Sequence, residues 1–192
     1  MHWSCCQISD LTGEDLQKLY GQLSPTRKAR IDRLRREEDR QRSLAAEMLM
    51  YQLLQKHENI TSATLHCHNN GQPYLTGCDL YVSISHSDQM VACAISQDPV
   101  GIDIERIRPI NLNICHHFCV PEELEYLLQG TQDIAWQHCC DDEILRRLFE
   151  IWTAKEAYYK KIGTGITDLK GVNILPLQRQ VYVKDNYMIQ IL

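Results

Sequence analysis

Short runs of apolar residues typical of β-strands occur between residues 80 and 105, and the dipeptide Asp98-Pro99 interrupts them before the last run. A long segment with apolar residues at helical spacing precedes these runs, and a second such segment follows them. Each side of the break therefore supplies a helix and strands. We predict an α+β protein that divides near residue 98 into an N-terminal part (1–98) and a C-terminal part (99–192).

Capping residues and periodicity place the individual elements. Ser24 can cap a helix that has Pro25 at its first position, and Gly163 can end another helix. The first roughly twenty residues carry no pattern that we can interpret. The predicted helices span residues 24–57, 121–128 and 141–161, and the predicted strands span residues 80–85, 90–96, 100–105, 172–175 and 181–192.

Nine cysteines are many for a chain of 192 residues. Their odd number and the lack of a CxxC pair argue against a disulfide framework, so we interpret them as reduced thiols that pack as small apolar side chains. The His and Cys residues at 66–68 and 115–119 match no common spacing of zinc ligands. No apolar run reaches the roughly 20 residues of a membrane span, and the N-terminus does not resemble a secretory signal. We therefore expect a cytoplasmic protein that does not act at a membrane.

The formal charge is −5, but residues 24–42 contain eight basic and four acidic side chains. A basic segment in an acidic protein suggests a specific anionic ligand or partner. Two alternatives are a solvated helix face with ion pairs such as Asp32/Arg36 and a nucleic-acid-binding module. The acidic total and an aromatic content of 7% argue against nucleic acid, so no nucleic-acid partner is expected. The two halves joined in one chain suggest a monomer.

Two carboxylates occur at alternate positions of the predicted strand 100–105 (VGIDIE). Asp103 and Glu105 then share one face of the strand, while Ile102 and Ile104 point to the core. Neighbouring carboxylates repel each other unless solvent, a cation or a basic group compensates, and Mg²⁺ is a hard ion that takes oxygen ligands. An exposed strand face with both carboxylates in water is the alternative.

The second candidate element is the helical segment 152–160 (WTAKEAYYK). At about 100° per residue, Trp152, Glu156 and Lys160 lie on one narrow face, with Lys155 beside it. The alternative is an ordinary amphipathic helix with a Glu156/Lys160 ion pair.

Together, VGIDIE and, about fifty residues later, WTAKEAYYK resemble the paired signature of the 4′-phosphopantetheinyl transferases, most closely the surfactin-synthetase (Sfp) type. The resemblance extends to the basic segment 24–44, to the turn 71–74 (GQPY) and to the segment 83–87 (SISHS). It implies a pseudo-twofold pair of similar subdomains, each a small antiparallel sheet with a long helix, with coenzyme A bound in the cleft between them. The N-terminal subdomain would contact the nucleotide, and the C-terminal subdomain would carry the metal and catalytic residues.

The same resemblance implies roles for individual residues. Mg²⁺, with Mn²⁺ as a substitute ion, would be held by Asp103, Glu105 and Glu156. Coenzyme A would be bound through its phosphates by Lys155 and Lys160, through its 3′-phosphate by Arg27, Arg30, Arg42 and His86, and at its adenine by Pro73 and Ser85. Glu156 and Lys160 would be catalytic: Glu156 would take a serine proton, directly or through a metal-bound water, and Lys160 would stabilise the leaving phosphate.

The implied activity is that of a holo-[acyl-carrier-protein] synthase, which transfers phosphopantetheine from coenzyme A to a serine of an apo carrier protein and releases 3′,5′-ADP. The partner would be an acyl or peptidyl carrier protein of fatty-acid, polyketide or nonribosomal-peptide biosynthesis, recruited by a basic surface that uses some of Arg33, Arg35 and Arg36. A metal-dependent phosphohydrolase and a degenerate binding protein are the alternatives. Gln72 replaces the lysine usual in the family, and the chain stops at Leu192, so fewer terminal strands are expected.

Overall fold

The computed structural model describes residues 1–130, 136–137, 139–166 and 168–192. The chain divides into two units, Met1–Val100 and Gly101–Leu192. Each unit contains a three-stranded antiparallel sheet and one long helix, so the predicted α+β fold is confirmed. The division falls close to residue 98, and the separate roles expected for the two parts stay predictions. Among the described residues, no helix combines the length and the apolar character needed to cross a bilayer.

The first unit is built around a sheet with the strand order β1-β5-β4. Its central strand β5 (MVACAIS) is almost wholly buried, because small and β-branched side chains fit under the helix α3 that lies on it. A separate hairpin pairs β2 with β3. The elements are β1 (His2–Gln7), α1 (Gly13–Gln22), α2 (Pro25–Asp32), α3 (Glu37–Leu53), a π-helical turn (Leu54–Glu58), β2 (Thr64–Cys67), β3 (Pro73–Thr76), β4 (Tyr81–Ser87) and β5 (Met90–Ser96).

The single helix predicted for residues 24–57 is wrong, although its start is confirmed. The Ser24 hydroxyl accepts a hydrogen bond from the Arg27 amide, and Pro25 opens α2. The chain then turns, and Arg36 adopts an extended conformation (φ −98°, ψ 139°) before α3 begins. Three acidic residues, Glu37 to Asp39, stabilise the positive end of this new helix. The helical spacing of apolar residues carried no sign of the interruption, because both helices pack their apolar faces into one core.

The second unit has a sheet of order β6-β8-β7, with the long helix α6 lying on β6 and β8. Asp141 caps α6 by accepting hydrogen bonds from two backbone amides, and Gly163, in the left-handed conformation (φ 72°), ends it as predicted. The elements are β6 (Ile102–Arg106), α4 (Cys115–Phe118), α5 (Pro121–Leu128), α6 (Asp142–Ile162), β7 (Gln180–Lys184) and β8 (Tyr187–Ile191).

Gly101 fixes how closely β6 approaches α6. A Cβ atom at this position would lie 1.8 Å from the Ala157 carbonyl oxygen, so a side chain cannot be accommodated without moving the backbone. The strand and helix therefore meet main chain to main chain, immediately beside the residues discussed below.

Two strand predictions in the second unit are wrong. Residues 172–175 form no strand, since this segment follows a short 3₁₀ turn and its amide and carbonyl groups bond to side chains instead. Residues 181–192 are not one strand but most of a hairpin, β7–β8. Asp185 and Asn186 form its turn with φ values of 48° and 65°, a conformation that these residue types tolerate best after glycine.

Candidate active site

Three carboxylates converge in the second unit. Asp103 and Glu105 lie at alternate positions of β6, and Glu156 lies on α6 above the same face of the sheet. One carboxylate oxygen from each residue can be chosen so that all three lie within 4.8 Å of one another. Asp103 is 1% exposed, and the other two are half-buried. Ile102 and Ile104 are fully buried on the opposite face, as the alternation predicts.

The electrostatics of the cluster are those of a cation site. Burial raises the pKa of Glu156 to about 7, and the charge of Asp103 acts in the same direction. The Lys160 ammonium lies 2.7 Å from an Asp103 carboxylate oxygen and opposes this rise. Even with this ammonium, three carboxylates carry an excess of negative charge. A divalent cation with oxygen ligands, such as Mg²⁺, would neutralise it.

Lys155 is the neighbour of Glu156 in sequence, but its ammonium contacts Glu123 and not the carboxylate cluster. Its side chain is fully buried, and its ammonium lies 2.8 Å from a carboxylate oxygen of the equally buried Glu123. The same ammonium donates hydrogen bonds to the carbonyl oxygens of Leu169 and Val172. These contacts join α5, α6 and the segment after α6. The phosphate contact expected for Lys155 stays a prediction, and it would require the ammonium to leave this buried ion pair.

Two family models match the chain in succession. The 4′-phosphopantetheinyl transferase superfamily model matches residues 99–188, which include all three carboxylates. The 4′-phosphopantetheinyl transferase N-terminal model matches residues 11–98. The chain belongs to the 4′-phosphopantetheinyl transferase superfamily.

Curated relatives place the chain with the Sfp type of this superfamily. It is 38% identical over 130 residues to the 4′-phosphopantetheinyl transferase gsp of Aneurinibacillus migulanus, an alignment that covers 67% of this chain and 51% of the relative. It is 26% identical over 160 residues to the 4′-phosphopantetheinyl transferase Sfp of Bacillus subtilis, covering 82% and 67%. It is 28% identical over 174 residues to the 4′-phosphopantetheinyl transferase HetI of a Nostoc species, covering 86% and 70%. The chain thus spans about half to two thirds of their lengths.

The first unit of this 4′-phosphopantetheinyl transferase superfamily member contains a basic cavity of about 380 Å³. Arg30 and Arg33 line it together with Tyr74, whose ring stacks on His66 and His68. Arg27 also lines it, but its guanidinium is held 2.7 Å from a carboxylate oxygen of Glu47, where it also donates to Ser43. Of the basic pair expected at the 3′-phosphate, Arg30 is thus the more exposed and Arg27 the more firmly fixed.

The other expected nucleotide contacts lie on α3, β3 and β4 of the same unit. The Arg42 guanidinium lies 2.5 Å from a carboxylate oxygen of Asp39 and donates a hydrogen bond to the Asp88 carbonyl oxygen. The Arg42 guanidinium lowers the pKa of Asp39, and Arg36 and His86 act more weakly in the same direction, so His86 lies near this group. Ser85 is buried and His86 exposed, as neighbours on a strand should alternate. Pro73 is the first residue of β3, and the roles expected for these residues stay predictions.

The structure shows three polar residues with contacts in or near the candidate sites that the sequence analysis does not single out: Tyr74, Glu123 and Gln190. Tyr74 falls within the turn 71–74 and Glu123 within the predicted helix 121–128, and neither position carries a sequence signal for its contacts. Gln190 was not considered, although a single amide within the apolar strand YMIQI is a usable signal. Within the described ranges, the three carboxylates are the only group of at least three His, Cys, Asp or Glu side chains whose ligand atoms lie close enough together to hold a metal ion.

The raised pKa of Glu156 predicts a pH-dependent stability in this superfamily member. The ordinary value is 4.5 and the folded value about 7, so the stabilisation from the protonated carboxyl is complete below pH 4.5 and is lost as the pH rises through 7. Glutamine imitates the protonated form at every pH. In a chelator, the Tm of Glu156→Gln should therefore rise relative to the parent between pH 4.5 and 7.5, by at least about 2 °C, the shift that ~1 kcal/mol produces in a domain of this size. Saturating Mg²⁺ should reduce this difference in Tm. A difference in Tm that does not change with pH would contradict the raised pKa of Glu156.

Proposed function

We propose that this chain transfers the 4′-phosphopantetheine arm of coenzyme A to a serine hydroxyl of an apo carrier protein and releases 3′,5′-ADP. The observation that carries the proposal is the convergence of Asp103, Glu105 and Glu156 within 4.8 Å in a member of this superfamily. The relatives named 4′-phosphopantetheinyl transferases support the same activity.

The three carboxylates would hold Mg²⁺ against the coenzyme A pyrophosphate. When bound, the ion supplies charge neutralisation for the phosphate oxygens, which is the main requirement of phosphoryl-type transfers. The donor set fits the ion, because all three ligands are hard oxygen donors and one of them is almost fully buried.

The chain's own residues would handle the proton and the leaving group. The serine oxygen attacks the β-phosphorus as the bond from that phosphorus to the bridging oxygen of 3′,5′-ADP breaks. Glu156 would take the serine proton, directly or through a water molecule, since its carboxylate lies in the same cluster as the ligands that would hold the ion. Lys160, which is 28% exposed and adjacent to Asp103, would face the departing phosphate.

Coenzyme A would be recognised by the basic residues of the first unit. The cavity beside Arg30 and Arg33 offers charge for the 3′-phosphate and an aromatic ring, Tyr74, for stacking. Arg42 and His86 would supply further positive charge, with Pro73 and Ser85 at the adenine.

Electrostatic attraction between exposed arginines and an acidic carrier surface would recruit the carrier protein. Arg33, Arg35 and Arg36 are exposed in the turn between α2 and α3, and they form a basic patch on a chain of net charge −5. An acidic surface around the modified serine would be complementary to this patch. The phosphohydrolase and nucleic-acid alternatives gain no support from the relatives.

Incubation with coenzyme A, Mg²⁺ and an apo carrier protein tests the proposal. We expect the carrier to gain the mass of one phosphopantetheine arm, because the serine oxygen becomes esterified to it. Chelation of the metal should abolish this gain. A carrier whose acceptor serine is replaced by alanine is the control. Release of 3′,5′-ADP without any carrier would instead support a phosphohydrolase, and an unmodified carrier would overturn the proposed activity.

A further inference from the structure

Gln190 is a buried polar residue that lies beside the carboxylate cluster. It belongs to β8, and its side chain is fully buried. In the ladder between β6 and β8, its Cα is the direct partner of Asp103. Directly opposed residues project from the same face of a sheet, with Cβ atoms about 4.5–5.5 Å apart. The Gln190 amide therefore lies on the face that carries Asp103 and Glu105, beneath α6.

The hydrogen bonds of this amide are incomplete. Its nitrogen has a weak acceptor, the Met188 sulfur at 3.8 Å. Its Oε1 is buried and has no hydrogen-bond partner within the described ranges. A buried acceptor without a partner has lost its hydration and gained no hydrogen bond in return, which is unfavourable. Met188, two residues earlier on the same face of the strand, is buried and apolar, so packing alone does not explain an amide at position 190.

We propose that Gln190 is a positioning residue of the metal site. Bound Mg²⁺ usually keeps several water molecules, and these can only donate hydrogen bonds. Asp103 and Glu105 would hold the ion, and the Oε1 atom of Gln190 would accept a hydrogen bond from a water molecule bound to it. Outer partners of this kind orient the inner ligands and typically contribute about 10- to 100-fold to metal affinity. The inference rests on the metal site of the proposed function but not on the transfer reaction.

Mg²⁺ titration of Gln190→Met, followed calorimetrically and by thermal unfolding, tests the inference without any activity measurement. Methionine has the same length but no strong acceptor. We expect the dissociation constant for Mg²⁺ to rise about 10-fold or more. In a chelator, Gln190→Met should be at least as stable as the parent, because it removes a buried acceptor that has no partner.

Two further variants sharpen the test. Gln190→Glu keeps an acceptor, so its Mg²⁺ affinity should be no weaker than that of the parent. Gln180→Met, on the exposed strand β7 of the same sheet, makes the same chemical change away from the cluster and should leave Mg²⁺ affinity unchanged.

Each outcome decides between the two proposals. If the parent binds no Mg²⁺, the metal site of the proposed function fails and this inference fails with it. If the parent binds Mg²⁺ and Gln190→Met binds it equally well, only the role of Gln190 is overturned. If Gln190→Met is destabilised or unfolded in the chelator, the amide has an internal structural partner, and the inference is likewise overturned.

Discussion

Glu156→Gln is expected to lower the rate of carrier labelling by about 10²-fold or more, the scale of lost acid–base catalysis. Glutamine keeps the size of the side chain but cannot take a proton, and it also weakens the three-carboxylate ligand set. The measurement is the initial rate of phosphopantetheine addition at saturating coenzyme A and Mg²⁺. Raising Mg²⁺ until the rate no longer changes separates lost affinity from lost turnover.

Glu143→Gln is the matched control for this experiment. It makes the same change on the same helix, where the Glu143 side chain is 67% exposed and pairs with Arg147. Because an exposed pair contributes little, the rate should stay close to that of the parent. If Glu156→Gln labelled the carrier at the parental rate, the assignment of Glu156 would have to be abandoned.

Lys155→Met is expected to destabilise the protein by about 3–5 kcal/mol, the cost of leaving one member of a buried ion pair without the other. Both side chains of the Lys155–Glu123 pair are 0% exposed, so solvent cannot compensate the remaining carboxylate. Two carbonyl groups, those of Leu169 and Val172, also lose their donor. Thermal unfolding should show a fall in Tm of about 10 °C.

Two comparisons distinguish this structural role from a phosphate contact. Lys161→Met, an exposed position of α6, should change stability by no more than about 0.5 kcal/mol. Adding Glu123→Gln to Lys155→Met removes the second charge and should recover part of the loss, because the two effects are coupled. A Lys155→Met protein of unchanged Tm but weakened coenzyme A binding would show instead that the ammonium serves the ligand.

The carboxylate cluster was accessible from the sequence because its members follow local periods. A spacing of two brings Asp103 and Glu105 to one strand face, and a spacing of four joins Glu156 to Lys160 on a helix. The family signature then paired the two segments. Lys155 shows the limit of this reasoning. Its neighbour is in the site, but its own partner, Glu123, comes from a different helix and is set by tertiary packing alone.

The errors in the fold have a similar origin. The sequence predicts one strand for residues 181–192, because the Asp185-Asn186 turn of the hairpin lacks the glycine that usually marks such a turn. Strand β1 went unrecognised, since its residues HWSCCQ show no clear alternation and all are half-buried. It forms only through pairing with β5, which lies far away in sequence.

The main-chain contact at Gly101 has a consequence for how the cluster could vary among related sequences. Backbone atoms of α6 meet Gly101, the residue immediately before β6, so the closest approach of strand and helix at this point is set by main chain and not by the size of an apolar side chain. The separation of Glu156 from Asp103 should then tolerate broad exchange of the apolar residues packed elsewhere in the unit. It would be sensitive to the gain of a single methyl group at one backbone position.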